Sequence, residues 1–235
     1  MKKLICFDLD GTLTNHRTPL EDGNRAVLDA LSERYALAMI GAGTCERIFK
    51  QMNRYPIDIV GNYGMQESTV VNGEFRLLRT TTTKPDKEYF LRTMNMIREK
   101  YGYTEYRGES VEFHDSGMVT FPFLGTEAHI EDKLSFDPDR AKRRAFYAEV
   151  CDLFPEYTVY IGGSSSFDFT AKQYNKYDAL LNFASSKGYT KDEVLYVGDD
   201  FADGGGDSHV RIGGLDYVEI DDYRKLPEHL AFLLK

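Results

Sequence analysis

The chain has 235 residues, which is enough for one large domain or for a domain that carries an insertion. Its 38 acidic residues outnumber its 29 Lys and Arg residues, and the formal net charge of −9 argues against nucleic acids and anionic membranes as partners. Three widely spaced cysteines, no signal-peptide pattern and no apolar stretch near the length of a membrane span predict a cytoplasmic protein in a reducing environment.

The first third of the sequence alternates strands with helices. Each short apolar run is followed by a segment with helical periodicity, an order typical of βαβ units around a parallel sheet. The predicted elements are a strand at 4–9, a helix at 21–33, a strand at 37–40, a helix at 45–52, a strand at 57–60 and a hairpin that turns at Asn72 and Gly73.

The middle of the chain has a different pattern, with helices predicted at 86–100 and 139–153 and short strands at 110–113, 118–123, 158–161 and 167–170. Alternation then resumes with a helix at 176–186, a strand at 194–197 and a final helix at 223–233. We therefore predict an α/β protein with a Rossmann-like doubly wound parallel sheet core, built from residues 1–82 and 172–235. An inserted α+β cap at 83–171 would set the substrate specificity.

Two strands run directly into carboxylates. Asp8 and Asp10 follow the apolar run at 4–7 of the first strand, in "ICFDLDGTLT", and Asp199 follows the strand of "VLYVGDD". Because ligands of an open parallel sheet bind at the carboxyl ends of its strands, we expect these three residues to converge. Several acidic oxygens in one cleft suit Mg²⁺, which often shares its ligands with a substrate phosphate.

This combination has a chemical use. A carboxylate beside a metal can attack phosphorus and form an aspartyl-phosphate, so Asp8 is the candidate nucleophile. A second carboxylate, Asp10, can protonate the leaving oxygen and later activate water. A phospho-accepting signalling receiver would use a similar acidic cluster, but it would need neither Asp10 as an acid/base nor a cap.

These motifs resemble those of a known superfamily. "DLDGTLT" is similar to the first motif of the haloacid dehalogenase superfamily in its phosphotransferase branch, and "GDDFADGGGD" is similar to the acidic fourth motif. "GGSSSFDF", followed by "NKYDAL", resembles the eukaryotic-type phosphomannomutase family. The resemblance runs over nearly the whole chain.

The resemblance implies roles for individual residues. Asp8 would be the nucleophile, and Asp10 the acid/base that also offers its backbone carbonyl to Mg²⁺. Asp199 and Asp207, the second acidic position of that loop, would bind the metal together with Asp8, and Lys176 matches the lysine that holds the transferring phosphate.

Other positions match the family less directly. An ungapped match sets the serine of the second motif against Gly43, so we choose the neighbouring Thr44 for its hydroxyl, with the Gly43 amide as the alternative. The positions that match substrate-binding residues of the family are Arg17, Arg107, Ser166 and Asp168.

The sequence also departs from the family. Two further cap arginines are replaced by the segment of His114 and by Thr126. A phosphomutase must hold the phosphate remote from the reaction, for which arginines are suited. We therefore expect a Mg²⁺-dependent phosphatase acting on a sugar phosphate or similar small phosphorylated metabolite, with a hexose phosphomutase as the alternative and a signalling receiver as a remote one. A homodimer, if one forms, is expected through the cap.

Overall fold

A computed structural model describes residues 1–235, which form two compact units. The first unit comprises residues 1–81, 174–203 and 207–235, and the second comprises residues 82–173 and 204–206. No helix combines the length and the apolar composition needed to cross a membrane.

The first unit is built on a seven-stranded sheet. Its strands are β1 (Leu4–Phe7), β2 (Ala36–Ile40), β3 (Asp58–Gly61), β4 (Gln66–Val71), β5 (Glu74–Thr80), β10 (Val194–Gly198) and β11 (Tyr217–Glu219). They lie in the order β11-β10-β1-β2-β3-β4-β5, and the first five of these run parallel. β4 and β5 are antiparallel and turn at Asn72 and Gly73, as predicted.

Helices cover both faces of this sheet. They are α1 (Asp22–Ser32), α2 (Cys45–Gln51), α7 (Lys176–Ser186), α8 (Ser208–Ile212) and α9 (Leu226–His229). Alternate residues of β1 show the division, because Ile5 and Phe7 pack into the core with α1 and α2, whereas Leu4 and Cys6 pack into the core with α7. The doubly wound parallel core expected from the sequence is therefore confirmed.

The position of β1 in the sheet locates the site. β1 lies between β10 and β2, so the connections on its two sides lead away in opposite directions. Crevices of this kind, at the carboxyl ends of strands where the order reverses, are where open α/β sheets bind ligands. Asp8 and Asp199 are the first residues after β1 and β10.

The second unit packs helices on one four-stranded antiparallel sheet. Its strands are β6 (Glu112–Phe113), β7 (Val119–Pro122), β8 (Tyr157–Tyr160) and β9 (Ser166–Ala171), and they lie in the order β6-β7-β9-β8. Its helices are α3 (Lys87–Tyr101), α4 (Ile130–Phe136), α5 (Ala141–Arg144) and α6 (Tyr147–Leu153). Aromatic rings dominate the core of this unit. The ring of Phe90, for example, contacts the rings of Phe154, Tyr157 and Phe169.

Two predicted helices are wrong in extent. The helix expected at 139–153 is divided into α5 and α6 at Phe146, which leaves helical geometry and stacks on Tyr101 in the aromatic core. The final helix expected at 223–233 is reduced to α9 between two short 3₁₀ turns. Pro227 has no amide hydrogen to donate to the Tyr223 carbonyl, which accepts from Asn24 instead.

Three elements were missed by the sequence analysis. α4 spans seven residues and buries none of them, so its apolar pattern is too short for periodicity to detect. α8 and β11 span five and three residues, which is too short for a reliable pattern.

Candidate active site

Asp8 lies beside a buried lysine. Its amide donates to the carbonyl of Val197 on β10, which fixes the backbone at the end of β1. Lys176, the first residue of α7, places Nζ 2.8 Å from Asp8 Oδ1 and 2.7 Å from Asp207 Oδ1. Only 2% of Lys176 is exposed. Burial alone would lower the pKa of Lys176, but Asp207 and Asp8 outweigh it and raise that pKa well above its usual value, so the lysine is a fixed cation.

Asp207 holds the loop after β10 together. Its Oδ1 accepts from Lys176 and from the hydroxyl of Tyr196 at 2.7 Å, and its Oδ2 accepts from the amides of Asp199 and Asp200 at 3.1 Å. Burial would raise the pKa of Asp207, but the lysine and these hydrogen bonds outweigh it and lower the pKa. With four donors on its two oxygens, Asp207 is a charged anchor for its neighbours.

Asp8, Asp199 and Asp207 form a cluster of carboxylates, with an oxygen of each within 4.8 Å of the others. Burial, and then the negative charges of Asp8 and Asp207, raise the pKa of Asp199 to about 8. Burial also raises the pKa of Asp8 to about 6, against the opposing effect of Lys176. The cluster therefore holds more negative charge than one lysine neutralises, and a divalent cation would relieve the excess.

The backbone leaves room for the Asp199 carboxylate. Gly11 has φ +94°, and a Cβ at this position would collide with Asp199 Oδ2. The hydroxyl of Thr12 donates to Asp199 Oδ1 at 2.9 Å. Glycine and threonine in the turn after β1 thus orient a carboxylate that is 187 residues away in sequence.

Asp10 is held apart from this cluster. Its Oδ1 accepts from the Arg17 amide at 2.7 Å and from Gln51 Nε2 at 2.6 Å, and its Oδ2 is 3.4 Å from Arg47. Burial would raise the pKa of Asp10, but Gln51, the Arg17 amide and Arg47 outweigh it and lower the pKa. Asp10 is therefore a carboxylate at neutral pH.

This arrangement corrects one expectation. The sequence suggested that Asp8, Asp10 and Asp199 would converge, but Asp207 completes the cluster and the Asp10 carboxylate is not a member of it. The physical reason is that α2 presents two donors, on Arg47 and Gln51, that hold Asp10. The contact between the Asp10 backbone carbonyl and Mg²⁺ stays a prediction.

Two other candidate residues of this unit, Thr44 and Arg17, make contacts within the protein. Thr44 is the N-cap of α2, and its Oγ1 accepts from the Arg47 amide at 3.2 Å. Arg17 is exposed, and it contacts Asp10 through its backbone amide, in a left-handed conformation with φ +57°.

The remaining candidate residues lie in the second unit. Asp168, on β9, accepts a hydrogen bond from Thr120 at 2.8 Å, and burial raises the pKa of its carboxyl. Ser166 donates to the Gly162 carbonyl at 3.0 Å. Arg107 is exposed at a cleft of about 500 Å³ that Tyr106 also lines.

Four side chains that organise these residues were not predicted from the sequence, namely Arg47, Gln51, Tyr196 and Arg143. Arg47 and Gln51 are spaced i, i+4 on a helix that begins at a strand end, and that spacing was the available signal. Tyr196 is the one residue with a polar tip in an otherwise apolar strand. Arg143 gives no signal, because it lies among three other basic residues, Arg140, Lys142 and Arg144.

Comparisons with known proteins agree with this architecture. Residues 93–204 match the family model of haloacid dehalogenase-like hydrolases. The phosphomannomutase of Saccharomyces cerevisiae is 24% identical over 220 residues, covering 88% of this chain and 84% of that protein. The phosphomannomutase of Encephalitozoon cuniculi is 23% identical over 245 residues, covering 97% of this chain and 94% of that protein.

Solved structures share the fold. The IMP-bound IMP-nucleotidase mutant of Plasmodium falciparum aligns with a TM-score of 0.65 at 13% identity, over 99% of this chain and 68% of that one. The C-terminal domain of trehalose-6-phosphate phosphatase from C. albicans aligns with a TM-score of 0.63 at 16% identity, over 99% of this chain and 92% of that one. The family model and the curated relatives show that the chain is similar to haloacid dehalogenase-like hydrolases and to phosphomannomutases, and the carboxylates at two strand ends agree with an enzyme of that type.

Proposed function

We propose that the protein is a Mg²⁺-dependent phosphatase that acts on a sugar phosphate or a similar small phosphorylated metabolite through an aspartyl-phosphate on Asp8. The observation that carries the proposal is the separation of two carboxylates of one turn. Asp8 is held by the buried Lys176, whereas Asp10 is held by Gln51 and Arg47. Different surroundings for two nearby carboxylates allow different roles.

The cluster of Asp8, Asp199 and Asp207 fits a magnesium ion in the chemistry of its donors. We propose Asp8 and Asp199 as the carboxylate ligands, with the Asp10 carbonyl beside them. Asp207, expected from the sequence as a further ligand, is proposed as their anchor instead, because its two oxygens already accept four hydrogen bonds. When bound, Mg²⁺ would neutralise charge that develops on the phosphate oxygens.

Four residues of the chain have separate roles in the proposed phosphoryl transfer. The Asp8 carboxylate attacks phosphorus while Lys176 offsets the negative charge of the transferring group. A bound phosphate next to Asp10 raises its pKa by like-charge repulsion, which favours the protonated form that donates to the leaving oxygen. Once the leaving group departs, Asp10 is a carboxylate that takes a proton from the attacking water. Thr44 accepts from the helix backbone, so its hydroxyl proton is available to a phosphate oxygen.

The insert at 83–171 is proposed to bind the rest of the substrate. Ser166 and Asp168 suit sugar hydroxyls, and Arg107, with the exposed side chain of Arg17, suits phosphate oxygens. A cytoplasmic location fits the three cysteines, which are all free thiols. A homodimer through the cap stays a prediction.

A hexose phosphomutase is the second candidate, because the curated relatives are phosphomannomutases. A mutase must protect its aspartyl-phosphate from water while the bound sugar reorients. Fixed cations that hold the second phosphate serve that purpose, but His114 and Thr126 stand where the family has arginines. Removing a charge-assisted hydrogen bond weakens binding by roughly 1.5–3 kcal/mol, which favours the phosphatase.

Phosphorus NMR distinguishes the two candidates. During incubation with a hexose 1-phosphate and Mg²⁺, inorganic phosphate should grow ahead of hexose 6-phosphate, even when a hexose bisphosphate is added as activator. If the 6-phosphate dominates and inorganic phosphate stays minor, the phosphatase proposal is wrong and the mutase replaces it.

We expect Mg²⁺ to bind more tightly as the pH rises. The pKa values of Asp8 and Asp199 are raised to about 6 and about 8, so the metal-free fold holds more protons than the unfolded chain and loses stability as the pH rises towards those values. Because the metal needs the carboxylates, its apparent affinity should fall by on the order of tenfold per pH unit below the Asp199 pKa. Calorimetric titration across this range measures the effect, with Asp199→Asn as the control that loses the dependence between about pH 6 and pH 8. An affinity independent of pH would contradict the assigned ligands.

A further inference from the structure

A polar row crosses the sheet of the second unit. Glu112, Thr120, Asp168 and Tyr160 lie directly opposite one another on β6, β7, β9 and β8. Side chains in a row share one face of a sheet, and the rows on either side contribute phenylalanine and valine to the aromatic core on the opposite face. His114 is two residues after Glu112, and it joins the row through Thr120.

The donor and acceptor of each hydrogen bond in this row follow from the single proton of the Thr120 hydroxyl. The Thr120 hydroxyl donates its single proton to Asp168 Oδ1, so Thr120 Oγ1 accepts from His114 Nε2, 2.9 Å away. Nε2 therefore carries a proton, and the other ring nitrogen, Nδ1, faces Glu112 Oε1 at 3.8 Å. The exposed end of the row thus presents a ring nitrogen and a carboxylate, with side chains 37% and 50% exposed.

Arg143, a cation that acts on the Asp168 carboxyl, cannot bind a phosphate. Arg143 is 1% exposed, and its guanidinium donates to Asp137 and to the carbonyls of Gly162, Ser164 and Ser166. These bonds use both terminal nitrogens and Nε, so Arg143 holds the loop before β9 and has no donor left for a ligand. The charged groups that act on the Asp168 carboxyl are His114, Arg143 and Glu112.

We infer that Glu112, His114 and Thr120 form, with Asp168, a subsite for the neutral hydroxyl groups of a sugar monophosphate. Acceptors at the open end of the row suit donating hydroxyls, and the two carboxylates repel a second phosphate. The inference rests on the proposed function, which requires a phosphomonoester substrate, and it names the substrate class as a hexose carrying one phosphate.

Equilibrium binding to the full-length Asp8→Asn variant tests this subsite without turnover. Glucose 1-phosphate should bind at least about tenfold more tightly than inorganic phosphate, since the sugar hydroxyls add hydrogen bonds. Thr120→Val should remove most of that advantage. Thr158→Val is the matched control, because Thr158 lies two residues from the row on β8 and donates to the Lys172 carbonyl.

Substitutions at the exposed residues Glu112 and His114 are expected to leave the fold intact, so they test the subsite even if Thr120→Val misfolds. Glu112→Gln should weaken glucose 1-phosphate by several-fold while it strengthens glucose 1,6-bisphosphate, and His114→Arg should improve the bisphosphate about tenfold relative to the monophosphate. The inference is overturned if glucose 1-phosphate binds no better than inorganic phosphate, or if Thr120→Val and Thr158→Val have equal effects. Failure of the wild type to release phosphate would instead refute the proposed function, because these affinities do not depend on hydrolysis.

Discussion

Asp8→Asn is expected to abolish turnover, with a loss on the order of 10⁴-fold or more, because the amide cannot form the aspartyl-phosphate. The substitution keeps the size of the side chain, and it removes one of the negative charges that raise the pKa of Asp199. The fold should therefore be retained and the melting temperature should not fall. Initial rates of phosphate release, measured with Mg²⁺ in excess, provide the comparison.

Two further variants, Asp10→Asn and Asp192→Asn, serve as comparisons for Asp8→Asn. Asp10→Asn should also lose turnover, but it should retain Mg²⁺ affinity, because its carboxylate lies outside the acidic cluster. Asp192→Asn, an exposed residue of the same unit, should behave as the wild type. Substantial phosphate release by Asp8→Asn would exclude Asp8 as the nucleophile, and equal loss of metal affinity in the Asp8 and Asp10 variants would contradict their separate roles.

Lys176→Met is expected to have the largest effect on stability, lowering the free energy of unfolding by about 3–5 kcal/mol. Methionine keeps the length of the buried side chain but leaves the carboxylates of Asp8 and Asp207 without their shared cation. Turnover should be lost as well, since nothing then offsets the charge of the transferring phosphate. Urea unfolding at neutral pH, with and without Mg²⁺, measures the change in stability.

Lys187→Met, at the other end of α7, is the control for Lys176→Met. Lys187, at the C-terminal end of α7, pairs with Asp58 at 2.7 Å, but its side chain is 38% exposed. Lys187→Met should therefore cost at most about 1 kcal/mol and leave turnover intact. If the two lysine variants were equally stable, the buried lysine would not be the electrostatic centre of the site.

Some features were predictable because the sequence expresses them locally. Apolar runs that end in carboxylates predicted both the parallel core and the strand ends that carry Asp8 and Asp199. Lys176 was predictable only through the family motif, since a lysine at a helix start is otherwise an ordinary surface residue. The match of a hydrophobic pattern to a buried strand is a strong signal, and here it predicted the central strands correctly.

The features that were missed depend on contacts between distant segments. Gln51 is 41 residues from Asp10, and no local pattern says which residue its amide will meet. Tyr196 reads as one more buried residue of β10, although its hydroxyl reaches Asp207. The extent of the final helix was predicted wrongly for a related reason, because the Tyr223 carbonyl accepts a hydrogen bond from Asn24, which lies on a different helix.

Rapid acid quenching during turnover, followed by mass spectrometry of the digested protein, tests whether Asp8 forms an aspartyl-phosphate. We expect phosphate on the peptide that contains Asp8. This species should appear before free inorganic phosphate and should be absent from Asp8→Asn. Steady hydrolysis with no phosphorylated peptide under single-turnover conditions, or phosphate found on a different residue, would contradict this expectation.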